Sequence, residues 1–159
     1  MLRADVGRST FYSHYRDKDE LLVSAIEDML RSGRPAVRSP SPSWHDDVLW
    51  FSLPVFTHLD QHRRTSEDRM GARSRAILHG HLEHAVAELV ADELKRDRYA
   101  ENGSARIPRE LLARHVAATF VLVLNWWVES GSQLTAAEID DHFRSLVLPV
   151  VASRKIIIS

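Results

Sequence analysis

A chain of 159 residues, 44% hydrophobic and 27% charged, has the make-up of an ordinary soluble globular protein: one substantial core, or a small head joined to a larger body. It contains no cysteine, which excludes disulfides, thiolate metal sites and cysteine nucleophiles. A formal net charge of −1 argues against a broadly basic nucleic-acid surface and confines any such contact to a small region.

Period-2 alternation is scarce, whereas apolar residues recur at three- and four-residue spacing almost throughout, so the expected fold is all-α. A first short helix is expected from Arg8 to Tyr15. The first sixteen residues lean basic, with Arg3, Arg8 and Arg16 against Asp5. Phe11 and Tyr15, four apart, face one side and can form a small apolar plug with Val6 and Leu22. The other side presents Ser9, Thr10 and Ser13, flanked by Tyr12 and His14. Short hydroxyl side chains suit a helix deep in a major groove, where they meet base edges while a tyrosine hydroxyl reaches a phosphate. Asp17 with Glu20 reads as a capping box opening a second helix, striped by Leu21, Leu22, Ala25, Ile26, Met29 and Leu30 and ended by Gly33. Lys18 sits in its first turn, where a cation opposes the helix dipole. A phosphate contact gives it a reason to be there.

The run ADVGRSTFYSHYRDKDELL over residues 4–22 resembles the second half of the helix-turn-helix in the tetracycline-repressor family. Val6, Thr10, Phe11, Tyr12, His14, Tyr15, Lys18, Leu21 and Leu22 carry the resemblance. It implies a dimeric, ligand-responsive transcriptional regulator, in most cases a repressor, whose partners are a double-stranded DNA operator, a small-molecule effector and a second copy of itself. On this resemblance Arg8, Ser9 and Thr10 read bases, and Tyr12, His14 and Lys18 anchor phosphates. Family members carry about two further helices before this motif, so the chain beginning at Met1 is expected to hold an operator weakly. The alternative is a helical sensor or dimerisation module that no longer binds DNA.

Residues 33–43, rich in Pro, Ser and Gly, mark a boundary between a head with its connecting helix (1–33) and a regulatory and dimerisation domain (44–153). A third helix is expected over 46–63, kinked at Pro54. A long one follows through Ile77, Leu82, Val86, Val90 and Leu94, then a loop over 98–106. Pro108 is placed at the first position of the next helix, which runs to Ser130 and stops near Gly131. Its apolar stretch, residues 117–128, falls short of the ~20 residues of a membrane span and contains Asn125. A core or interface helix is therefore expected. Thr135 and Glu138 form a capping box for the last helix.

Trp50, Phe51, Phe56, Asn125 and Trp126 are the candidates for an effector pocket. Asn125 is included because an amide inside an apolar run must find a hydrogen-bond partner. The helix around residues 117–128 is apolar nearly all round, which requires a second covering surface. Leu122, Trp127, Ile139, Phe143, Leu146, Val147 and Val150 are accordingly expected at a dimer interface shaped as a four-helix bundle. Among the nine histidines, His58 with His62 and His79, His81 and His84 have spacings that suit zinc or nickel. Their charged surroundings favour a solvated helix face, and no metal or other cofactor is expected. No Gly-x-Ser-x-Gly elbow, Gly-rich phosphate loop or His-Glu-x-x-His motif is present, so no enzymatic activity is expected. Without a basic-then-apolar leader, the expected location is the cytoplasm.

Overall fold

The computed structural model describes residues 18–32, 43–65, 72–96 and 107–152. These form six helices and no strand: α1 Lys18–Arg31, α2 Trp44–Val48, α3 Ser52–Thr65, α4 Ala72–Arg96, α5 Arg109–Glu129 and α6 Ala136–Ala152. The all-α class is as the spacing predicts. The short helix expected over Arg8–Tyr15, the Asp17 cap, the 33–42 linker and the loop over 98–106 lie outside the described residues.

Helix α4 is held by a four-residue stripe, Leu82, Val86, Val90 and Leu94, all buried. It packs along α5, whose stripe of Leu112, Ala113, Val116, Ala117, Phe120, Val123, Leu124 and Trp127 supplies much of the core. Ser130 caps α5 by donating its N–H to the Trp126 carbonyl, and Gly131, at φ +62°, takes the left-handed step that ends the helix. Thr135 and Glu138 then exchange hydrogen bonds. The Glu138 N–H donates to the Thr135 hydroxyl at 3.3 Å, and the Glu138 carboxylate accepts from the Thr135 N–H at 2.8 Å. This is the expected capping box, and it launches α6 back against α5 and α3.

Two boundaries differ from expectation. The single kinked helix over 46–63 is two helices separated by the turn Leu49–Phe51. Pro54 explains the break: its ring would collide with the carbonyl four residues back, at Trp50, and it has no N–H to continue the ladder. At the third position of α3 neither defect matters, because helix-start N–H groups lack intrahelical partners. Pro108 is the N-cap of α5, and Arg109 is the first helical residue.

One aromatic cluster ties the body together. Phe51 and Phe56 from the α2–α3 turn and α3 meet Phe120 and Trp127 of α5 and Phe143 of α6, at centroid distances of 4.7–6.3 Å. Most pairs are edge-to-face, the arrangement that ring quadrupoles favour. Ile26 and Leu30 attach α1 to the same core, with Met29 half-buried beside them. Leu21, expected on that stripe, is exposed.

Candidate functional site

Of the residues assigned to DNA, Arg8, Ser9, Thr10, Tyr12 and His14 lie outside the described residues. Lys18 is the first residue of α1, and its side chain is likewise not described.

The residues expected to line an interior pocket near Trp50 and Trp126 sit in different surroundings. Phe51 and Phe56 are fully buried in the aromatic cluster, ring against ring. Trp126 is 49% exposed and faces away from that interior, while Asn125 is half-buried on the outer side of α5. Trp50 borders two clefts. One cleft, of about 450 Å³, runs between α1 and α4, lined by Glu27, Leu30, Arg31, Trp50, the face of α4 from His81 to Glu93, and Arg96. The other, of about 440 Å³, opens between α1 and α3 and is lined by Met29, Trp50, Leu53, Pro54, Thr57, His58 and Gln61. Both volumes fall in the range of small-molecule sites.

The two clefts differ in electrostatics. In the first, carboxylates lie beside nitrogen-bearing side chains: Arg31 to Glu27 at 3.1 Å, His84 to Glu88 at 3.3 Å and Arg96 to Glu93 at 3.2 Å. His81 also reaches from α4 to Glu27 of α1 at 3.9 Å. The second cleft has no carboxylate, lysine or arginine among its described lining. The Trp50 indole is 3% exposed, and its Nε1–H has no hydrogen-bond partner. An indole nitrogen can only donate, so this is a buried donor left unmatched. Among the described residues, no group of three or more histidines and carboxylates can hold a metal ion.

The expected dimer interface divides into two sets. Trp127, Ile139, Phe143 and Val147 are fully buried within this chain and belong to its own core. The Trp127 indole donates to the Leu134 carbonyl at 3.0 Å, which fixes it inward. Leu122, at 63% exposure, and Leu146, at 55%, face outward as expected, and Val150 is half-buried. Sequence reasoning missed Leu111, Trp126 and Val128, which are also exposed. Five of the seven large exposed hydrophobics among the described residues thus lie on α5 and α6. Helix α5 has the length and composition of a membrane span, yet half of its apolar window is buried in this chain, as in a core helix.

A polar staple missed by the sequence reading holds α6 to the α2–α3 turn. Arg144 donates to Asp140 at 2.8 Å, to Asp46 at 2.8 Å and to the Leu49 carbonyl at 3.0 Å. Comparison with family models, with curated proteins and with solved structures returns no match to this chain.

Proposed function

We propose that this chain is the body and connecting helix of a ligand-responsive transcriptional regulator that binds operator DNA as a homodimer in the cytoplasm. The observation that carries the reading is the ordered motif over residues 4–22 in an otherwise helical chain. A set of short hydroxyls, aromatic residues and one lysine in this order has few other uses. Arg8, Ser9 and Thr10 read bases, while Tyr12, His14 and Lys18 hold phosphates.

Two features of the described residues support it. Helix α1 follows the motif directly and is bolted to α4 through Ile26 and Leu30, so a change in the body reaches whatever precedes α1. Leu111, Leu122, Trp126 and Leu146 leave apolar surface on the α5–α6 hairpin, which a second copy would cover.

Two experiments test the reading. Selection from a random duplex library should recover a palindromic site, bound by two copies. Light scattering should give twice the chain mass of 18.1 kDa, and Leu122→Glu with Leu146→Glu should halve it. A dimer that selects no sequence would favour a sensor and dimerisation module that does not bind DNA. A monomer that selects no sequence would overturn both readings.

A further inference from the structure

We infer that the second copy docks with its α5 antiparallel to this one, on a two-fold axis at Leu122, so that Arg114 and His115 of each chain face Glu129 of the other. The inference rests on the homodimer proposed above and names the surface and the pairing by which two copies recognise each other.

The exposed face of α5 matches itself when reversed. At about 100° per residue, His115, Ala118, Trp126 and Glu129 fall within roughly 40° of Leu122 around the helix, and all are exposed. They stand seven and four residues before Leu122 and four and seven after it. Turning a copy end for end about Leu122 therefore lays each half of the face on the other half. Leu122, the most exposed large hydrophobic among the described residues, meets its own counterpart. Ala118 is small and leaves room for the Trp126 ring of the partner, a residue type favoured at interface cores. The ends carry opposite character: Arg114 and His115 toward the start of the helix, Glu129 at its last residue. About 22 Å of helix separates Arg114 from Glu129, so the two can meet only between chains. A parallel pairing would set Arg114 beside Arg114 and Glu129 beside Glu129, a repulsive arrangement. The charges thus select both the occupant, a copy of the same face, and its direction. Within the chain Arg114 reaches Glu110 at 3.0 Å, but both side chains are largely exposed and such a link is weak enough to exchange.

The full chain has no cysteine, so single spin labels can be placed at Glu110→Cys and Val128→Cys. Both positions are exposed, about five helical turns apart and about a third of a turn off the Leu122 face, so neither label enters the contact. In an antiparallel pair, equivalent positions separate along the helix by about 3 Å for each residue from the axis, about 36 Å at residue 110 and about 18 Å at residue 128. Dipolar electron resonance should therefore find the residue-110 labels about 15 Å further apart than the residue-128 labels. By light scattering over a concentration series, Glu129→Arg should weaken the dimer about ten-fold, because two symmetry-equivalent contacts turn repulsive. Adding Arg114→Glu should restore most of that loss. Label distances equal to within about 5 Å, or a double variant no tighter than Glu129→Arg alone, overturn the inference and leave the homodimer standing. A monomer in both measurements overturns the homodimer as well. A dimer of this geometry that selects no operator bears out the pairing and sinks the DNA-binding reading alone.

Discussion

Replacing Arg144 with alanine should cost this protein more stability than any other single charge removal among the described residues. The Arg144 side chain is 15% exposed and its partner Asp140 only 7%, so the pair is effectively out of water. Removing the arginine strands the Asp140 carboxylate, one of whose oxygens already lacks a hydrogen-bond partner. Breaking a buried pair by deleting one member costs about 3–5 kcal/mol, most of it the penalty of the orphaned charge. The Asp46 contact adds little, about 0–1 kcal/mol, because that carboxylate is 39% exposed and water screens it. A total of about 4 kcal/mol follows, a fall in Tm of roughly 8–16 °C for a chain of this size. Urea denaturation followed by circular dichroism at one fixed protein concentration measures it. Arg144→Ala combined with Asp140→Asn should recover about half of the loss, because an amide is cheaper to bury unpaired than a carboxylate. An Arg144→Ala protein within about 1 kcal/mol of the parent would refute the staple as a stabilising element.

Hydrogen bonds from the Thr135 backbone and hydroxyl hold the Glu138 carboxyl below its ordinary value of 4.5. Its contribution is therefore fully present above that value and is lost as pH falls through the lowered one; Glu138→Gln should flatten this part of an acid-unfolding curve. Phe143→Glu should unfold the chain, since it buries a charge in the aromatic cluster, whereas Leu146→Glu should leave the unfolding of the single chain within about 0.5 kcal/mol; both are read by denaturant titration. On the proposed DNA-binding reading, Lys18→Ala should lower the slope of log K against log salt by about one unit, measured by fluorescence anisotropy; an unchanged slope removes Lys18 from the phosphate contacts.

The helical class, the long α4 stripe, the Gly131 stop and the Thr135–Glu138 box were legible because each depends on local spacing or a single backbone requirement. Inside and outside on α5 were not. Trp126 and Trp127 are neighbours of the same type, separated by 100° around a helix apolar on every side, so composition cannot say which one the core takes. Burial settles it: Trp127 continues the line of Phe120, Val123 and Leu124. The break at Leu49–Phe51 was foreseen as a bend at Pro54, because proline reveals that a helix is interrupted and not how far upstream it stops. The Arg144 staple spans 98 residues of sequence to reach Asp46, and no local pattern announces such a pair. Of the pocket candidates, Trp50 borders two clefts, whereas Phe51 and Phe56 are core residues. Phe51 and Phe56 are as aromatic as a pocket wall, but three further rings fill the space between them.

The distribution of packing separates a rigid part of the body from an adjustable one. The α3–α5–α6 side is locked by five aromatic rings and the Arg144 staple, so a ligand could enter it only by breaking well-formed contacts. Helix α1 is different. Ile26 and Leu30 seat it on the core, clefts border it on two sides, and His81 of α4 lies 3.9 Å from its Glu27. Helix α1 carries the last residues of the 4–22 motif, so its seat on α4 is where the body meets that motif. On the proposed reading the stiff body defines a reference position, and a ligand acts only through its differential affinity for one seating of α1 over another.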